Sequence, residues 1–248
     1  RAAYQAQRLQ KLAADKKNNF VIVRTAADLL QPDETVMGLL LTEGSHPLEG
    51  KLQNIDRLYT EGYRIMGLQH FFDNALGGSM HGRSQAGLTE FGRQAVNAMT
   101  EKGIIIDVAH SSEAVVRDVM SITSGPLMLS HGGLRSHCPE TSNRNLPDNV
   151  LIEIANRGGL IGIGYFEGVI CDITPNGIAD TLDHAVTVLG PDAVALGSDF
   201  DGTVATTLDA SELVAITQAL MDRGMSETLI RKVMGENAFN FLARNLPE

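Results

Sequence analysis

Short apolar runs without a polar face alternate with longer segments of helical periodicity along the 248 residues, which restricts the chain to folds that bury their strands on both sides. The runs are FVIV (20–23), VMGLLL (36–41), YRIMGL (63–68), GIIIDVA (103–109), PLMLS (126–130), LIGIGYF (160–166) and AVALGS (193–198). Helical patterns fall at Gly50 to Glu61, Glu90 to Lys102, Ser112 to Ile122, Asp148 to Asn156, Ile178 to Leu189, Asp209 to Asp222 and Ser226 to Leu242. Start signals stand at Thr89, Ser111-Ser112 and Pro147-Asp148, and stops at Gly62, Gly103, Gly158 and Gly190.

Strand, helix, strand in this order means right-handed crossovers and a parallel sheet. A doubly wound sheet wants a glycine-rich phosphate turn between an early strand and its helix. Neither GGSMHG (77–82) nor GIGYFEG (162–168) lies in such a place. The sequence therefore predicts an α/β fold of the (β/α)8 TIM-barrel type, one domain over residues 1–248, with no linker or low-complexity tract to divide it. About six runs make good core strands where a closed barrel takes eight. The first residue is Arg1, inside what reads as an amphipathic helix, so the expectation is a chain lacking its first one or two strands.

Composition narrows the partners. Thirty acidic residues against 20 Lys and Arg give a net charge of -10, the wrong sign for neutralising phosphates, so neither nucleic acid nor an anionic membrane is expected. No apolar stretch approaches the roughly 20 residues that span a bilayer. A soluble chain is expected, with the bacterial cytoplasm and the cell envelope both open as compartments. Cys138 and Cys171 permit one disulfide and no cysteine-based metal cage.

The informative pattern is what terminates the strands. VMGLLLT ends in Glu43, YRIMGLQ in His70, IIIDVA in His110, PLMLS in His131, and AVALGS in Asp199. In a barrel those ends share the face that carries the active site. Three imidazoles and two carboxylates suit a divalent cation, zinc foremost. His46, His81, His137 and His184 read instead as loop or helix-surface residues, with His81 in its glycine-rich stretch able to line the mouth. A serine hydrolase finds no G-x-S-x-G elbow.

With those residues in hand, the sequence resembles the membrane (renal-type) dipeptidases, the M19 metallopeptidases of the amidohydrolase superfamily, and their bacterial members most. LLLTEGSHPLEG, GLQHFFDNALGGSMHG, GLTEFGRQAV, IIDVAHSS, LSHGGLRSHC, NRNLPD, GIGYFEGVICD and ALGSDFDG carry the likeness, from about Val23 to Leu242. The resemblance implies a zinc-dependent dipeptidase that cleaves the peptide bond with a metal-bound hydroxide. It implies Glu43 as the carboxylate bridging two zinc ions, His110 and His131 as the ligands that complete the second zinc, and Asp199 as a metal-site residue beside the other zinc that handles the proton. It implies His70 as the group that polarises the scissile carbonyl and Arg144 as the grip on the dipeptide's free carboxylate. Gly168 falls where animal members carry a tyrosine that helps this grip, and Tyr165 is a neighbour. Cys138 and Cys171 fall where animal members have a disulfide.

One departure stands at the front, where the family's first strand carries a His-x-Asp pair for the first zinc and no such pair precedes Glu43. The expected partners are a dipeptide, the N-terminal segment that would supply this pair and, as an open alternative, a second copy of the chain. Two rival readings stay open: another amidohydrolase reaction on N-acyl amino acids or lactams, and an inactive truncated piece.

Overall fold

The structure, a computed structural model, describes residues 1–32, 34–139 and 144–248. They group into two compact units, one of residues 1–125 with 242–248 and one of residues 126–241.

The first unit opens with helix α1 (Ala2–Ala14), followed by strands β1 (Phe20–Ile22), β2 (Val36–Gly38) and β3 (Leu40–Thr42). Helix α2 (Gln53–Glu61), strand β4 (Tyr63–Gly67), helix α3 (Glu90–Glu101), strand β5 (Ile105–Asp107) and helix α4 (Glu113–Ile122) complete the alternation. The apolar run at 36–41 is two strands, not one: β2 pairs in parallel with β1, whereas β3 pairs with β4 and β4 with β5. Val36 and Met37 stay exposed while Leu40 and Thr42 are buried, so the change of partner is also a change of surroundings. An apolar run records burial but not which strand it bonds to, which is why the sequence did not show the break.

Helices α3 and α4 cover the sheet through residues three and four apart: Ala95, Val96 and Met99 on one, Val115, Val116 and Val119 on the other, all fully buried. Their start signals are real caps. The Thr89 hydroxyl accepts from the Gly92 amide at 2.9 Å, and Ser112 Oγ accepts from the Val115 amide at 3.1 Å. The Ser112 hydroxyl also donates to the Ala86 carbonyl at 2.8 Å, tying the helix start to the long loop between β4 and α3. That loop is held mainly by its own polar groups. Asp73 accepts from the Ser79 and Ser84 amides at 2.9 and 3.0 Å, and the Asn74 side chain bridges the Leu68 carbonyl and the Leu76 amide.

The second unit contains strand β6 (Met128–Gly132), helix α5 (Asp148–Asn156), strand β7 (Leu160–Ile163), helix α6 (Pro175–Leu189) and strand β8 (Val194–Leu196). Helices α7 (Val214–Asp222) and α8 (Glu227–Arg231) follow, and α9 (Asn237–Asn245) begins here. Strand β7 pairs in parallel with β6 and with β8. The pattern over 226–242 reads as one helix, yet a wide turn at Lys232–Glu236 separates α8 from α9, because Gly235 adopts an extended φ of 174°. Gly62, Gly103, Gly158 and Gly190 do end their helices with positive φ. Cys138 and Cys171 are bonded, with their Cα atoms 5.5 Å apart. His184 differs from a plain surface residue: its Nε2 lies 2.9 Å from Ser136 Oγ and its ring 4.9 Å from that of His137. Among the described residues no helix is long and apolar enough to cross a membrane.

Two outcomes follow from the first unit. Ser112→Ala removes a helix cap and strands the Ala86 carbonyl, and is expected to cost about 1–2 kcal/mol in urea unfolding. The amides of Ser84 and Ser79 hold the Asp73 carboxyl below its usual range. A group whose pKa is lowered by folding contributes above its unfolded value of about 3.9 and loses that contribution as pH falls through the folded one. Protection of the Ser79 and Ser84 amides against hydrogen exchange is therefore expected to hold at neutral pH and fall only below about pH 4.

Candidate metal centre

In the first unit, Glu43 follows β3 directly and is brought against the ends of β4 and β5 by a missing side chain. A Cβ on Gly67 would stand 2.8 Å from the Thr42 carbonyl oxygen and 2.9 Å from the Gly44 amide nitrogen, so only glycine lets the two strand ends approach this closely. Ser45 then fastens the turn, its hydroxyl donating to the Gly67 carbonyl at 2.8 Å. The register of β3 on β4 shifts between Leu40 and Leu41, just ahead of Glu43, and such irregularities re-aim the residues beyond them.

His110 comes three residues after β5 in a left-handed turn, with φ of 63°. That region is costly for a side chain with a Cβ, roughly 1–3 kcal/mol, and is kept where the surroundings over-determine it. Here Met80 donates its amide to the His110 carbonyl at 2.8 Å, and Ser111 bonds both the Val108 carbonyl and the Gln69 side chain. The result is an imidazole only 4% exposed, whose Nε2 lies 2.9 Å from Glu43 Oε1. His70, three residues after β4, places its Nε2 3.6 Å from the same oxygen and packs its ring edge-on against His110 at 4.7 Å. The Ser79 hydroxyl donates to the His70 carbonyl, which fixes the turn that carries it.

These three residues offer ligand atoms that all lie within 4.8 Å of one another. Zinc binds nitrogen and oxygen at about 2.0–2.1 Å, so two ligands of a tetrahedral ion stand about 3.3 Å apart. The separations of 2.9 and 3.6 Å bracket that edge, and the donor set is of the kind zinc accepts. The half-exposed Glu43 carboxylate meets a nearly buried imidazole, an arrangement that favours a positive charge at their meeting point.

In the second unit, His131 lies inside β6, at the point where its pairing with β7 slips between Leu129 and Gly132. A Cβ on Gly162 or Gly197 would stand 2.1 or 2.5 Å from the Ser130 carbonyl oxygen, so both glycines make room for this irregular stretch. Ser130 Oγ lies 2.8 Å from His131 Nδ1. When Nδ1 donates to that hydroxyl, Nε2 keeps its lone pair, which is the tautomer a metal ligand needs. His131 Nε2 is 3.8 Å from Asp199 Oδ2, and Asp199, three residues after β8, sits at φ of 54° with its carbonyl accepting from Gly202. Arg144 directs its guanidinium at the Phe166 ring, 5.9 Å from the centroid. Residues 140–143, which include Asn143 of the NRN stretch, lie outside the described residues. Gly168, at φ of 98°, has open space where a side chain would begin, and Tyr165 is buried with its ring 5.5 Å from that of Phe200.

Glu43, His70 and His110 thus meet in one unit, and His131 and Asp199 approach each other in the other. Sequence reasoning passed over the aromatic surroundings of the first group. Phe71 packs its ring 4.6 Å from His70, 5.0 Å from His81 and 5.4 Å from His110, and His81 lies 5.3 Å from His110. The signal available was the doublet Phe71-Phe72 beside His70, two large apolar residues in a polar loop. Ser130 was equally silent, because a serine before a histidine is common and shows nothing of which ring nitrogen it serves.

Comparison with known proteins agrees with this chemistry. An amidohydrolase from Pseudomonas aeruginosa superposes with a TM-score of 0.87 at 24% identity, over 97% of this chain and 83% of its own. Dipeptidase AC, a metallopeptidase of family M19, superposes with a TM-score of 0.85 at 27% identity, over 98% of this chain and 76% of its own. A metallopeptidase from Rhodobacter sphaeroides, solved with a phosphinate mimic of the dipeptide L-Ala-D-Ala, gives a TM-score of 0.86 at 27% identity, over 97% of this chain and 73% of its own. The fold class is α/β with parallel strands, of the TIM-barrel type. The family model for membrane dipeptidase (Peptidase family M19) matches residues 1–244, and the chain belongs to that family as a metal-dependent hydrolase of dipeptidase type.

Proposed function

We propose that the protein is a zinc-dependent dipeptidase in which Glu43, His110 and His131 hold metal, Asp199 moves the proton, His70 polarises the scissile carbonyl and Arg144 holds the free carboxylate. The observation that carries this is the convergence of His110 Nε2 on Glu43 Oε1 at 2.9 Å, a carboxylate and an imidazole of the kind zinc accepts, with the His70 imidazole beside them, 3.6 Å from the same oxygen. A bound zinc supplies Lewis acidity toward the peptide oxygen and lowers the pKa of water toward neutrality.

The chain's own groups do the rest. His70, more exposed than His110, is free to turn a ring N–H toward the oxygen on which negative charge develops. The Asp199 carboxylate takes the proton of the attacking water and returns it to the leaving amine, two transfers that need one group of fixed position. Its strained turn and the Gly202 amide at its carbonyl hold it there. The Arg144 guanidinium offers a planar fork to a terminal carboxylate, so a substrate continuing past its second residue loses that contact. The Rhodobacter sphaeroides relative accepts a phosphinate mimic of a dipeptide, which supports a substrate of this size.

Metal analysis of purified protein is expected to find zinc, and removal by a chelator to abolish dipeptide hydrolysis with recovery on adding zinc back. His110→Ala and His131→Ala are each expected to lower metal content and to reduce hydrolysis by more than about a hundredfold, since residues one layer further out already cost 10–100-fold. His70→Ala is expected to keep its metal and lose kcat by about 10²–10³-fold, whereas loss of metal in this variant would make His70 a ligand instead. Hydrolysis of N-acyl amino acids in preference to dipeptides, or protein that takes up no metal, would overturn the reading.

A further inference from the structure

Large apolar side chains in water beside a polar site call for an occupant. Phe72 is 74% exposed and Phe71 is 49% exposed, and both follow His70 directly. The segment bearing them is not a loose tip. Asp73 is hydrogen-bonded to the Ser79 and Ser84 amides, Asn74 to Leu68 and Leu76, and the Ser79 hydroxyl to the His70 carbonyl. Phe71 is further fixed by ring contacts with His70, His81 and His110. A hydrogen-bonded loop thus holds two phenyl rings in water next to a candidate site, and a bound apolar group would regain the free energy of that exposure.

We propose that Phe71 and Phe72 form an apolar wall that receives the side chain of the substrate's first residue, making the enzyme selective for dipeptides that begin with a bulky aliphatic or aromatic residue. This rests on the dipeptidase reading given above. The carbonyl assigned to His70 belongs to the first residue of the dipeptide, whose side chain branches from the adjoining carbon. A group bound at His70 therefore carries that side chain within reach of the Phe71 ring, 4.6 Å from the imidazole, and Phe72 is the next residue of the same loop, its ring exposed. Burial of an aliphatic side chain against such a wall discriminates by about tenfold or more from a residue that has none.

The test compares kcat/KM for leucyl-glycine and glycyl-glycine in the wild-type protein and in Phe72→Ala, Phe72→Gln and Phe72→Leu, with metal content measured for each. The expected result is a wild-type preference for leucyl-glycine of about tenfold or more, mostly lost in F72A and F72Q and kept in F72L. Equal efficiency toward the two substrates in the wild type, or an unchanged ratio in both F72A and F72Q, would overturn the inference and leave the dipeptidase reading standing. Failure of the wild type to cleave either dipeptide would end both together. Light scattering supplies the remaining arm: if F72A turns a dimer into a monomer with the substrate ratio intact, Phe72 is a contact between copies of the chain and the inference falls.

Discussion

A carboxylate from the end of β3 and an imidazole from beyond β5 meet at 2.9 Å across the intervening strand, and the chemistry of the first unit depends on that contact. Neither group would be placed there for stability alone. An imidazole removed from water and a carboxylate drawn toward it recover little over leaving both solvated, since desolvation offsets most of the attraction. What the pairing does provide is a fixed pair of donors whose lone pairs converge. The backbone bears its own expense for this: a left-handed turn at His110, a glycine at the strand end where any other residue would collide, and a serine hydroxyl spent on holding a loop carbonyl. Costs concentrated on one spot are what the metal-holding role proposed above would call for.

The second unit repeats the device with different means. There the histidine sits within its strand, and a slip in pairing turns it. Its acidic neighbour again occupies a left-handed turn three residues past a strand, at Asp199. Of the described non-glycine residues with positive φ, two are candidate ligands or proton carriers, and His and Asp are among the side chains that tolerate this backbone best. A backbone set in this way fixes where the side chain starts, which suits the roles proposed for His110 and Asp199.

Much of this was legible beforehand. The apolar runs gave the strands because burial on both faces leaves no polar alternation to confuse them, and Thr89, Ser112 and the four terminal glycines marked helix ends by the chemistry of unpaired amides and left-handed backbone. Glu43, His70, His110, His131 and Asp199 stood out because each follows or closes such a run. What stayed hidden has a common cause. The division of residues 36–41 between two partners, the slip in β6, and the ring of Phe71 against three histidines are all decided by neighbours distant along the chain, and His110 and Asp199 carry no local signal for their unusual φ. The bond between Cys138 and Cys171 was implied by family likeness and not by anything in the residues themselves.

The paired glycines beside Ser130 have one more implication. Because the Ser130 oxygen occupies the volume that two methyl groups would otherwise fill, the direction of the neighbouring imidazole is set by what Gly162 and Gly197 lack. A side chain at either position would press on the backbone of Ser130, the residue that precedes His131. These two places in the strands are thereby held to the smallest residue available, whatever the loops beyond them do.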